Sequence, residues 1–267
     1  MSFSYLKCDC SPLVIDHEFE IKNEEEVAEY IAKIVLGHYA HVKKIINALS
    51  TSNPTITDSD LDIAIARLEK KGKKSKEIEK RDGWVFQIIS WLALFVENKG
   101  QNFYCQQPHD APAQHGLDGV AILLNKELKI ENIIITEDKC TEHHRVVIPD
   151  IWREFTEFEK GIHNNQLINR ISALLENLDH GKILEENQND IYKNELRKYR
   201  VGINRNAAHE KVEKRKKLFK GYDDCVLGKT ADRRYASTIC KNDIRNWMDD
   251  MCEKAIGYLK SQKAGNV

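Results

Sequence analysis

The chain has 267 residues, of which 41% are apolar and 31% charged, and its formal net charge is −1. That length is enough to bury a substantial core, and the composition is that of a globular protein. The near-neutral balance excludes a global attraction for nucleic acid, so any such binding must come from local basic patches.

No stretch approaches the roughly 20 apolar residues that a membrane helix requires. Met1-Ser2-Phe3-Ser4 lacks the basic-then-apolar order of a secretory leader, so a cytoplasmic location and no membrane partner are expected. The seven cysteines are an odd number with no CxxC pair. Free thiols in a reducing compartment are the plain reading, and no zinc site is expected even where Cys140 precedes Glu142-His143-His144.

Taken in chain order, Leu13-Val14-Ile15 and Phe19 with Ile21 alternate as an edge strand does. Glu24 to Leu49 repeats its apolar residues at helical period behind three glutamates, which favour a helix N-terminus, and Ser50 to Pro54 ends that helix. A short helix follows Thr57-Asp58-Ser59. Lys70-Lys71-Gly72-Lys73-Lys74 reads as a solvated basic turn. Ser75 to Asn98 is a helix so apolar in its second half, from Trp84 to Phe95, that it must be buried on several sides. Asp82 on this helix is a candidate extra acid, set against a simple charged Arg-Asp-Gly step. Phe103 to Gln106 is a short strand, and Pro108 to His115 a loop in which His109 and His115 receive no catalytic role.

The next segment carries the chemistry. Leu117-Asp118-Gly119 opens the apolar run Val120 to Leu124, and Ile133-Ile134-Ile135 ends in Thr136-Glu137-Asp138-Lys139. The 18 residues between Asp118 and Glu137 hold two strands and a turn around Asn125-Lys126-Glu127. Period-2 alternation puts Glu137 and Lys139 on one face, and an antiparallel hairpin brings Asp118 to them. Mg²⁺, or Mn²⁺ in its place, is satisfied by a few carboxylate oxygens with water and a substrate phosphate completing its shell. Asp118 and Glu137 are the candidate ligands, with the backbone carbonyl of Asp138 as a third. Lys139 would orient the attacking water and offset charge in phosphodiester hydrolysis. The Asp138 side chain should point to the opposite face and is given no role. A second metal would require Asp82, Asp110 or a water-bridged ligand.

Beyond the site, Pro149 to Lys160 reads as a helix with Pro149 near its first turn and an apolar face of Ile151, Trp152, Phe155 and Phe158. Arg153 and Lys160 on it could face a DNA backbone. Leu167 to Leu184 is helical in character, Tyr199 to Ile203 and Arg233 to Ile239 are strand-like, and Asn242 to Leu259 is a closing amphipathic helix. Lys211 to Lys220 is the most basic stretch, equally compatible with a phosphate-contacting helix and a solvated face.

The order of helix, apolar strand, strand ending in Glu-x-Lys, and a helix containing Trp152-Arg153-Glu154-Phe155 resembles the PD-(D/E)xK, restriction-endonuclease-like nucleases. More narrowly, the chain is similar to the nuclease subunits of Hachiman anti-phage defence systems. The residues carrying the resemblance are His115-Gly116-Leu117-Asp118-Gly119-Val120 and Ile135-Thr136-Glu137-Asp138-Lys139; Leu117 stands where many such enzymes have proline. The resemblance implies a metal-dependent deoxyribonuclease held in check by a partner helicase and released by foreign or damaged DNA. The expected fold is a single α/β domain over 1–267, a restriction-endonuclease-like mixed sheet flanked by helices with additional N-terminal and C-terminal helices. Two other readings stand beside it: a non-catalytic interaction or nucleic-acid-binding subunit of a larger complex, and an all-helical scaffold carrying only a small hairpin.

Overall fold

Side-chain alternation along the strands sets the architecture. The computed structural model describes residues 2–52, 54–69, 75–113 and 116–265, so Lys70 to Lys74 and His115 lie outside the described residues. The elements begin with β1 (Phe3–Cys10), β2 (Val14–Ile21), α1 (Glu24–Val35), α2 (Tyr39–Ile46), α3 (Asp58–Leu68) and α4 (Ser75–Glu97). Strands β3 (Asn102–Cys105), β4 (Gly119–Leu124) and β5 (Ile130–Lys139) follow, then α5 (His144–Glu159), α6 (Asn164–Glu176) and α7 (Lys182–Asn187). The chain continues through β6 (Arg197–Arg205), α8 (Val212–Leu218), α9 (Tyr222–Cys225), α10 (Thr230–Arg233), β7 (Arg234–Cys240) and α11 (Ile244–Gly265).

The strands form one mixed seven-stranded sheet in the order β1-β2-β7-β6-β5-β4-β3. Its centre, β2-β7-β6-β5, is parallel, and an antiparallel hairpin closes each edge. This excludes the all-helical scaffold. Even and odd positions bury themselves in different layers. Ala121 and Ile134 join α1, α3, α4 and α11 on one face, whereas Val120, Ile122, Ile133 and Ile135 join α5 and α6 on the other. No helix among the described residues is long and apolar enough to cross a membrane.

Local signals explain most element ends. The Asn23 side chain accepts from the Glu26 N–H at 3.1 Å and caps α1, with Glu24, Glu25 and Glu26 in the first turn. The Thr57 hydroxyl and the Asp60 carboxylate form a reciprocal capping box on α3.

Four expectations need correction. The segment expected as an edge strand is β2, which pairs with both β1 and β7, and the edge on that side of the sheet is β1. The helix expected over 24–49 is two, because the chain leaves α1 through Gly37 at φ +86°, a left-handed conformation open mainly to glycine. The helix expected at Pro149 starts earlier, at His144; the buried imidazole donates from Nε2 to the Asn204 carbonyl at 2.6 Å and ties its first turn to β6. The helical stretch over 167–184 is interrupted after Glu176, and α7 resumes at Lys182 beyond a 3₁₀ turn.

Candidate active site

Strand register assembles the candidate residues. Gly119 pairs with Thr136 in the β4–β5 ladder, which puts Asp118 across from Glu137. Glu137 and Lys139 share the α5/α6 face with Ile133 and Ile135, and the Lys139 ammonium is bonded to the Glu137 carboxylate. Asp118 is fixed on both oxygens: Oδ2 accepts the Asp138 N–H at 2.8 Å, and Oδ1 accepts Gln87 Nε2 at 3.1 Å. Register therefore brings Asp118, Glu137 and Lys139 close together. Asp118, Gln87, His109 and Lys139 line a cavity of about 270 Å³, and Glu137 is not part of its lining.

Burial dominates its electrostatics. Removal from water raises both carboxyls, Glu137 far above its usual range, and the negative Asp118 raises Glu137 further. Lys139 pulls the other way on both acids. Burial disfavours the Lys139 charge in turn, yet Glu137 and Asp118 outweigh it and hold the ammonium above its ordinary range. Two desolvated acids within hydrogen-bonding reach of each other, with one lysine on Glu137, form a site that a cation can stabilise.

The Asp138 side chain turns to the α4 face, as expected. Its Oδ1 accepts from Ser90 and from Arg200 Nη1, the latter at 3.1 Å, and burial pushes the carboxyl up to about 6 against the guanidinium's opposing pull. Only its main chain faces Asp118. In a strand, one residue's N–H and C=O point to the same side. The N–H bonded to Asp118 Oδ2 thus directs the Asp138 carbonyl past the start of β4, toward the same carboxylate.

The candidate extra acids lie elsewhere. Asp82 is fully buried and paired on Oδ1 with Arg81 and on Oδ2 with Arg245, each at 2.7 Å, so it belongs to the α4–α11 packing. Asp110 lines a separate cavity with α1 and α3 residues. The acid that does join the site is Glu154 on α5. Its charge raises both Asp118 and Glu137, while burial raises its own carboxyl against the pull of Lys139. Arg170 of α6 donates to the Leu117 carbonyl at 3.1 Å, and burial lowers its pKa while Asp118 raises it. His109 donates to the same carbonyl at 3.0 Å and is kept toward neutral by burial. Glu154 lies in the helix segment Trp152-Arg153-Glu154-Phe155 that follows the two motifs, but no spacing rule marks it. Gln87 occupies an apolar helical run where a lone polar residue is the available signal.

Among the described residues no group of three or more His, Cys, Asp or Glu side chains is arranged to hold a metal ion. Asp118, Glu137 and the Asp138 carbonyl would offer a cation two carboxylates and one carbonyl at most, with water left to complete its shell. No protein-family model matches the chain, and no curated protein matches it.

Proposed function

We propose that the chain is a metal-dependent deoxyribonuclease of the PD-(D/E)xK type. The observation carrying this is the register-imposed meeting of Asp118, Glu137 and Lys139 at one end of the β4–β5 hairpin, with the Asp138 carbonyl directed to the same place. Mg²⁺ or Mn²⁺ held there would lower the pKa of water and neutralise charge on the phosphate. Gln87 and the Asp138 N–H hold Asp118 in position. Glu137 keeps Lys139 charged, and Lys139 in turn is placed to orient the attacking water and to meet the developing negative charge.

The wider role is that of an effector in prokaryotic anti-phage defence, cytoplasmic and restrained by a helicase subunit. Its support is the resemblance of the two motifs to Hachiman nuclease subunits.

The test is plasmid cleavage, supercoiled and linear, by the wild type, Glu137→Ala and Lys139→Ala, with Mg²⁺ and with EDTA, alone and with a co-encoded helicase. Cutting that requires metal and is lost in both variants is expected. Failure of the folded wild type to cut under every condition would sink the reading and leave a non-catalytic interaction subunit.

A further inference from the structure

The basic stretch divides into two chemically different sets. Arg215 turns inward: Nη1 pairs with Asp16 at 3.0 Å, Nη2 with Glu18 at 2.8 Å, and Nε donates to the His209 carbonyl at 3.2 Å. That anchor pins α8 against the first hairpin and leaves Lys214 and Lys217, spaced i, i+3, exposed on one side, with Lys220 exposed in the turn that follows the helix. Lys216, off that row, pairs with Glu213 at 3.3 Å.

The lysine row borders a groove of about 630 Å³ between α8 and the start of α5. Arg145 adds a fourth exposed cation from the α5 side, while the buried Ile148 and Leu218 contribute apolar lining. None of the four cations forms an ion pair with a described residue. His209, also on the wall, has a buried Nδ1 without a hydrogen-bond partner. In a chain of net charge −1, such a concentration of unpaired positive charge is local. A compact anion requires donors converging on one point; a line of cations along an apolar-lined groove matches a polymer with repeating phosphates and less polar sugars between them.

The groove also lies near the candidate site. Ile148 and Glu154 are on the same helix, six residues and so about 9 Å apart along its axis. We propose that the groove is the track for a single nucleic-acid strand, with its phosphates on Arg145, Lys214, Lys217 and Lys220, leading toward Asp118, Glu137 and Lys139. The proposal deepens the nuclease reading and rests on it for the destination of the strand.

Binding of a fluorescently labelled single-stranded oligonucleotide and of its duplex, followed by anisotropy in EDTA over a salt series, separates the two ideas. Each phosphate contact on a single strand contributes a slope of roughly −0.7 in log K against log salt. Four contacts therefore weaken binding roughly 50-fold between about 50 and 200 mM salt. The variant R145Q/K214Q/K217Q/K220Q is expected to flatten the slope by roughly 3. A charge-matched control, K99Q/K126Q/K182Q/K260Q, alters exposed lysines outside the groove and should retain the wild-type slope. Melting curves establish that both fold; if the groove variant does not, Lys217→Gln alone should shift the slope by roughly 0.7. Equal slopes in groove variant and control would overturn the track, as would groove-dependent binding of duplex only. A wild type that cuts metal-dependently with no groove effect leaves the nuclease standing and removes the track. Groove-dependent strand binding without any cutting does the reverse.

Discussion

Gly202 lies directly beneath the candidate site. It pairs with Asp138 across the parallel β5–β6 ladder, and a Cβ there would fall on Asp138 Oδ1 and within 2.6 Å of Ser90 Oγ. The carboxylate has nowhere to retreat, because Ser90 and the fully buried Arg200 hold it. Overpacking of this kind costs about 1–3 kcal/mol, and displacing the acid from Arg200 breaks a buried ion pair at about 3–5 kcal/mol. Gly202→Ala is therefore expected to destabilise the fold by about 3–5 kcal/mol. At roughly 2 °C per kcal/mol for a chain of this size, Tm falls by roughly 6–10 °C. A double-mutant cycle isolates the cause. Asp138→Ala is costly alone because it orphans Arg200, but it removes the carboxylate that the new methyl strikes. Adding Gly202→Ala to it should then cost only about 1 kcal/mol, from the Ser90 hydroxyl that remains, giving a coupling of about 2–4 kcal/mol in thermal or urea unfolding. Additive losses, or a single Gly202→Ala variant melting within a degree of the wild type, would refute the reasoning.

Asp82→Asn removes the acid shared by Arg81 and Arg245 and should destabilise by about 3–5 kcal/mol while the folded protein keeps its cleavage rate. Loss of cutting in a variant that melts like the wild type would return Asp82 to the site. Glu154→Gln removes a negative charge that raises Asp118 and Glu137, so the acid limb of the cleavage pH profile should move to lower pH; an unmoved limb would detach Glu154 from the site. Burial raises Asp16 from 3.8 to about 6 against the pull of Thr238 and Arg215, so the folded state holds its proton more tightly than the unfolded state. The stability from that proton is full below pH 3.8 and is lost as pH rises through about 6, so the wild type should lose about 3 kcal/mol relative to Asp16→Asn over that window. Parallel pH–stability curves for the two proteins would contradict it.

What could be read in advance follows the range of each interaction. The hairpin of β4 and β5 announces itself through β-branched runs around Asn125, whose side chain accepts the N–H groups of Glu127 and Lys129 at 2.9 Å each. Its alternation settles which of Glu137, Asp138 and Lys139 share a face. The helix period across 24–49 is real, yet it continues through Gly37 because α1 and α2 both bury apolar residues in the same layer. Periodicity reports burial and cannot detect a change of axis. The partners of Asp82, Asp138 and Asp118 were invisible for a different reason. Arg245, Arg200 and Gln87 are 163, 62 and 31 residues away from them; the packing of α4 and α11 brings the first and last pairs together, and the parallel β5–β6 pairing brings Arg200 to Asp138.

The same distinction resolves the chain's basic residues. Arg197, Arg200, Arg215 and Arg234 are all buried and hydrogen-bonded to carbonyls or carboxylates inside the sheet frame. A guanidinium suits that place because its planar fork satisfies several acceptors at once and it keeps its charge when desolvated. The lysines of α8 remain in solvent, where a compact, strongly hydrated ammonium belongs. The formal charge of −1 thus combines two populations: arginines buried with their donors bound to carbonyls or carboxylates, and a row of lysines exposed to solvent. Composition sums them and predicts no affinity for a polyanion; geometry separates them and leaves the uncompensated row on one wall of one groove.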